Sequence, residues 1–275
     1  MELFAIKGKR DAPIVVSVPH NGTWTPGEIR RQLAVPAEEV REKVDDYADV
    51  LAEMAEEFAA VVKANVSRTV IDLNRSGTVA ELDLECDPER EGERLVRLFD
   101  VEGRLLWKAP IGRPPISRSE LERRIAQYHE PYHAALQGCL KRNETPRILV
   151  DMHSMSDPAC DLVIGDFRGR STGEDICERR LKPFFSERGY RVGYAGPRNF
   201  DRQGRPAAAA AIRYSGGFIT SRYGDPGNGQ YAFQIEVNRE NCRQQFGKMR
   251  DDFGLFFGFL AKMLEEEREF FGPLK

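Results

Sequence analysis

Four short apolar runs constrain this chain more than any other feature: PIVVSV at 13–18, TVIDL at 69–73, RILVDM at 147–152 and AFQIEV at 232–237. Each is too short for a typical buried helix and rich in β-branched residues, so each reads as a buried strand. A fifth run, DLVIG at 161–165, reads the same way. Helical patterns lie between them. In VDDYADVLAEMAEEFAAVV (44–62), Val44, Tyr47, Ala48, Leu51, Met54, Ala55, Phe58 and Val62 recur at three- and four-residue spacing and define one apolar face. A second helix is expected from Ser117 or Ser119, both N-cap residues, through SRSELERRIAQYHEPYHAALQGCLKR (117–142), with Pro131 kinking or splitting it. GEDICERRLKPFFSERG (173–189) and FGKMRDDFGLFFGFLAKMLEEEREF (246–270) are two more amphipathic helices. Strands alternating with helices give an α/β protein, a mixed, largely parallel sheet flanked by helices, and we expect one such domain over 1–275. Segments 76–116 and 196–230 are rich in Gly, Pro and charge, and are too long for plain connections.

Composition removes several classes of function. The net charge of −3 is spread over both signs, and no basic block suggests nucleic acid or a membrane surface. No apolar stretch reaches the roughly 18 residues of a spanning helix. The N-terminal MELFAIKGKRDAP is too short and polar for a signal peptide. Five cysteines (Cys86, Cys139, Cys160, Cys177, Cys242) form no C-x-x-C pair, which points to reduced thiols in a cytoplasmic protein. Nothing implies a protein partner.

The four principal strands run apolar and then deliver polar groups: His20-Asn21-Gly22, then Asp72-Leu73-Asn74-Arg75, then Asp151-Met152-His153-Ser154, then Glu236 and Asn238-Arg239. Ligands of open α/β sheets bind outside the carboxyl ends of the strands. Two imidazoles and a carboxylate make a three-ligand zinc site with an open fourth position. His20 and His153 are the natural pair, and Gly22 lets the chain turn away beside the first. The carboxylate is expected from Asp45 or Asp49, spaced i, i+4 at the start of the apolar helix. His129 and His133 share that spacing, but with Pro131 between them and no acidic partner they read as structural or supporting groups. Alternation in QIEVN places Glu236 opposite Ile235 and Val237. Its role is then either an ion pair with Arg75 or Arg239, or general base for an attacking water and general acid for a departing amine. Arg75, Arg239 and Arg222, the last within GGFITSRYG, present planar forks suited to a substrate carboxylate.

VPHNG, Asp45 with Asp49, VIDLNR, YHEPYH, DMHSM, and GGFITSRYGDP followed by AFQIEVNR occur in that order and resemble the N-formylglutamate amidohydrolase family over residues 13–265. Its members resemble zinc carboxypeptidases and the zinc amidases that cut peptidoglycan. The resemblance implies one zinc per chain held by His20, His153 and an acid near the first helix, carried to Asp45 with Asp49 second. It also implies Glu236 as catalytic acid and base, and Asn74-Arg75 as groups that hold a substrate carboxylate. Many members carry Ser where this chain has Asn21, and 81–107 departs from the members that serve histidine degradation. The expected activity is zinc-dependent hydrolysis of an N-formyl or N-acyl amino acid, with N-formyl-L-glutamate leading. A small-peptide or cell-wall amide hydrolase and a non-catalytic metal-binding sensor are the alternatives.

Overall fold

The structure is a computed structural model describing residues 2–36, 44–85, 88–100, 103–108, 115–141, 146–156, 159–173, 176–194, 196 and 214–271. Its strands are β1 (Phe4–Gly8), β2 (Ile14–Val18), β3 (Ala59–Ala64), β4 (Arg147–Met155), β5 (Leu162–Gly165), β6 (Val192–Tyr194) and β7 (Gln230–Asn238). Its α-helices are α1 (Gly27–Arg30), α2 (Ala48–Ala52), α3 (Arg118–Arg124), α4 (Glu130–Lys141), α5 (Lys182–Ser186), α6 (Phe218–Tyr223) and α7 (Arg239–Phe271). The seven strands form one sheet in the order β1-β3-β2-β4-β7-β5-β6. β2 with β4, β4 with β7, and β5 with β6 pair parallel, while β5 runs antiparallel to β7. The sheet is therefore mixed and largely parallel, as the alternation of runs implies.

Contacts gather the chain into two compact units. One comprises Ile6–Val18, Asp45–Val62 and Leu136–Lys275. Its core joins Ile14, Val16 and Val18 of β2, Ile148, Val150 and Met152 of β4, and Phe233, Ile235 and Val237 of β7 to Leu51 of α2 and Phe253, Phe256 and Phe257 of α7. These strands are buried on both faces, which suits an α/β sheet. The helix expected over 246–270 lies within α7, whose earlier residues are set off by a non-helical Gln245. The helix expected over 173–189 is a π turn at Cys177–Leu181 running into α5, with 174 and 175 outside the described residues.

The other unit comprises Met1–Ala5, Pro19–Val44 and Lys63–Ala135. Its described residues are largely turns and short helices. α3, a π turn at Ile125–His129 and α4 follow one another without a break, so Pro131 neither stops nor splits the helix. The ladder widens just before it, Glu130 N–H bonding to the Ile125 carbonyl five residues back, and the ring that lacks an N–H follows.

Two sequence expectations fail. The helix over 44–62 ends early: α2 passes into a 3₁₀ turn at Glu53–Ala55, and Ala59–Ala64 is strand β3. A strand buried on both faces shows no alternation, and AAVVKA continues the helical spacing by coincidence. The strand expected over 69–73 does not form. Val70, Ile71 and Leu73 are fully buried, but the backbone turns, with Val70 N–H on the Ser67 carbonyl (2.9 Å) and Asp72 N–H on the Leu95 carbonyl (2.7 Å). The short alanine run at 207–211 lies outside the described residues, as do parts of the long segments 76–116 and 196–230.

Candidate metal centre

β4 and β7 build the first part of the site. Their parallel register sets His153 beside Glu236. Both lie inside the strands, which run further than the apolar runs alone predict. Residues two apart on a strand share a face, so Asp151 lies on the face of His153, its carboxylate 2.8 Å from Nε2. The other imidazole nitrogen, Nδ1, is 2.9 Å from Asp45 Oδ2. Asp45 precedes α2 rather than belonging to it, and its carbonyl accepts the Ala48 N–H at 3.2 Å. Burial opposes a charge on His153, but Asp151, Asp45 and Glu236 outweigh it and raise its pKa well above the usual imidazole value.

Arg239 follows β7 directly, and the preceding Asn238 explains why a helix starts there: its side-chain oxygen accepts the Glu240 and Asn241 N–H groups at 2.9 and 3.2 Å. Arg239 Nε donates to Ser154 Oγ at 3.0 Å, and its Nη2 lies 3.9 Å from Asp45. Gln234, on the Glu236 face of β7, donates to that carboxylate at 3.4 Å and to the Tyr214 carbonyl at 3.0 Å.

His20 stands two residues beyond the end of β2 and is buried. Its Nε2 is 2.7 Å from Asp72 Oδ1. Burial pushes the Asp72 carboxyl up, and His20, Arg68 and Arg75 reverse this and hold it well below the ordinary carboxylate range. Asp72 also takes the Arg68 guanidinium at 2.8 Å and the Asn74 backbone N–H at 2.9 Å, so one carboxylate orients an imidazole and closes the Asp72–Arg75 turn. Gly22 has a different reason from the one expected. Its φ is ordinary, but a Cβ there would sit 2.2 Å from the Val66 carbonyl oxygen, so the position requires close backbone approach.

A buried His-Asp-His group emerges that could hold a metal ion. His20, Asp45 and His153 each offer a ligand atom within 4.8 Å of the others. Two imidazole nitrogens and one carboxylate oxygen are a donor set that suits zinc with a position left open. Asp49, the other acid of the expected pair, is half-buried in α2 and is not part of the group.

A sequence model of N-formylglutamate amidohydrolases matches residues 12–242. The chain belongs to the N-formylglutamate amidohydrolase family. Among curated relatives, the N-formylglutamate deformylase of Pseudomonas putida is 29% identical over 248 residues, 85% of this chain and 82% of that protein. The N-formylglutamate deformylase of Pseudomonas aeruginosa is 28% identical over 86% of this chain and 84% of its own. The fold matches that of N-formylglutamate amidohydrolase from Ralstonia eutropha JMP134 with a TM-score of 0.75 at 22% identity, over 97% of this chain and all of that one.

The remaining residues expected of a family member are placed as follows. Asn74 is buried in the turn closed by Asp72. The Arg75 guanidinium donates to the Gly92 carbonyl and, at 3.2 Å, to that of Asn74. Arg222 is exposed on α6, 5.8 Å from the Phe218 ring and 5.9 Å from that of Tyr223, and no described contact joins it to His20, Asp45 or His153. The supporting carboxylates Asp72 and Asp151 were missed as such. D-x-H on one strand was a readable signal for Asp151, whereas Asp72 lies 52 residues from His20 and left no local trace. The four described cysteines, Cys139, Cys160, Cys177 and Cys242, are not in disulfides, and no described helix is long and apolar enough to cross a membrane.

Proposed function

We propose that this chain is a zinc-dependent amidohydrolase that cleaves N-formyl-L-glutamate to formate and L-glutamate, with one zinc per chain held by His20, Asp45 and His153. The observation that carries the reading is the pairing of that buried donor set with Glu236, which β-sheet register sets beside His153, in a chain of this family. The named relatives, both N-formylglutamate deformylases, support the choice of substrate.

When bound, zinc would polarise the formyl carbonyl and lower the pKa of a water toward neutrality. Glu236 takes a proton from the attacking water at its carboxylate and delivers it to the departing nitrogen as the C–N bond breaks. The water oxygen ends in formate, and the amine leaves as glutamate. Gln234 steadies one Glu236 oxygen. Asp72 and Asp151 hold the Nε2 sides of the two imidazoles, so Nδ1 of each would be the nitrogen offered to the metal. Asn74 and Arg75, with Arg239 and Arg222, bind the substrate carboxylates by charge-assisted hydrogen bonds.

The test is formate release from N-formyl-L-glutamate by the purified chain, after chelation and after zinc is restored, beside a panel of other N-acyl amino acids. Activity that disappears on chelation and returns with zinc is the expected result. Firmly bound zinc without hydrolysis of any substrate in the panel would overturn the enzymatic reading in favour of a ligand sensor.

A further inference from the structure

His129 and His133 are the two histidines that the metal centre does not use. Both are buried, and their rings stack with centroids 4.2 Å apart. His129 Nε2 lies 2.8 Å from the Arg75 carbonyl oxygen, and His133 Nε2 lies 2.9 Å from that of Leu73. One helix turn further back, Arg124 Nη1 donates to the Val70 carbonyl at 3.1 Å. Three side chains of one continuous helix thus take three carbonyls of the irregular segment that contains Asn74.

The helix is shaped for this. On a regular α-helix, residues five apart diverge by about 140°, so Arg124 and His129 would face different ways. The π turn at Ile125–His129 inserts a wider turn between them and restores a common face, while His129 and His133 are already neighbours at i, i+4. A carbonyl oxygen can only accept, so both Nε2 atoms carry hydrogen. Gly77 closes the other side: a Cβ there would lie 2.8 Å from His129 Cε1 and Nδ1.

We propose that His129 and His133 are positioning residues for substrate binding. By pinning the carbonyls on either side of Asn74, they fix the backbone from which Asn74 and Arg75 reach a carboxylate-bearing substrate. The segment has no sheet ladder to hold it, and a buried carbonyl must be paired. Side-chain tethers supply both needs at once. This inference rests on the reading of Asn74 and Arg75 as carboxylate-binding groups.

The experiment uses the full zinc-loaded chain and the variants His129→Leu, His133→Leu, His129→Gln and His133→Gln, with Gly77→Ala displacing the His129 ring without changing its chemistry. Calorimetric binding of L-glutamate, the KM and kcat for N-formyl-L-glutamate, and zinc content are read for each. Loss of one tether is expected to weaken glutamate binding and raise KM roughly tenfold, the worth of a hydrogen bond at a site that must be ordered, with kcat changed less and zinc content unchanged. Gln, which places an N–H near the Nε2 position, should recover much of the loss. Unaltered glutamate affinity in a folded His129→Leu or His133→Leu chain overturns the inference, as does Gln that performs no better than Leu. Imidazole ¹⁵N–¹H spectra of the wild type decide the matter if the Leu variants do not fold: Nε2–H on both rings supports the tethers, and an Nδ1–H tautomer on either overturns them. A wild type that shows both Nε2–H signals but neither binds glutamate nor hydrolyses the substrate overturns the proposed function while the tethers stand.

Discussion

Asp151 and His153 lie two residues apart on β4, and the Asp151 carboxylate sits 2.8 Å from His153 Nε2. The pleat of a strand puts i and i+2 on one face, which brings this pairing within reach. It holds the ring in one orientation and makes Nδ1 the nitrogen turned to Asp45. Supporting carboxylates of this kind are typically worth ten- to a hundredfold in metal affinity. Asp151→Asn should weaken zinc binding by that factor, and Asp72→Asn should do the same through His20. A competition titration against a chromophoric chelator measures it, and wild-type affinity in both variants would remove the supporting role.

The two acids near the start of α2 separate cleanly. Asp45 is buried against His153, whereas Asp49 is half-buried within the helix. Elemental analysis is expected to find one zinc per chain in the wild type and in Asp49→Ala, and little or none in His20→Ala and Asp45→Ala. Zinc retained by Asp45→Ala and lost from Asp49→Ala would reverse the assignment.

Glu236→Gln keeps the shape of the β7 side chain and removes its capacity to take a proton. General acid–base catalysis contributes about 10²–10⁴-fold, so kcat should fall by that much with zinc content unchanged. Steady-state kinetics with metal analysis on the same preparation checks this. A Gln variant of near wild-type kcat would mean that the proton moves through another group.

If His153 is a zinc ligand, its charge state should make zinc uptake depend on pH. Burial disfavours the imidazolium, but Asp151, Asp45 and Glu236 prevail, and the folded pKa in the metal-free chain lies well above 6.5. Because the folded value exceeds the unfolded one, this pairing contributes its full stability below about pH 6.5 and loses it as pH rises through the folded value. A zinc held by His153 would have to displace the same proton. Its apparent affinity should therefore fall as pH falls, and binding near neutrality should release protons. Titration calorimetry in two buffers of different ionisation enthalpy counts them, and a count of zero at pH 7 would contradict a protonated His153.

Phe256 of α7 is fully buried among Phe185 at 4.8 Å, Phe184 at 5.4 Å, Phe257 at 5.5 Å and Phe253 at 6.0 Å between ring centroids. Phe256→Ala should cost about 3–5 kcal/mol through lost burial and the cavity left behind. Denaturant unfolding measures it. A cost below about 1 kcal/mol would show that the cluster closes over the gap.

Much of the site was legible from the chain alone because the relevant rule is local. The apolar, β-branched runs PIVVSV, RILVDM, DLVIG and AFQIEV read as strands, and each becomes one. Alternation put Glu236 on the opposite side of β7 from Ile235 and Val237, both of which join the core. His20 and His153 were found by where such runs stop. The same logic misled in two other stretches. AAVVKA could be read as the last turns of a helix, and TVIDL could be read as a strand, because neither stretch names its own hydrogen-bond partners.

By itself, then, the sequence determined the sheet's central strands, the face on which Glu236 sits and the two histidines, since the spacing of residues along a strand or helix is a property of the chain's covalent geometry. Tertiary structure decided the rest. It made β3 a strand and left 69–73 irregular, drew Asp45 rather than Asp49 to His153, and set Asp72 on His20. The reason is that backbone and carboxylate groups in a dry interior take the conformation in which they find partners. For Leu73 and Arg75 those partners, His133 and His129, lie 60 and 54 residues along the chain.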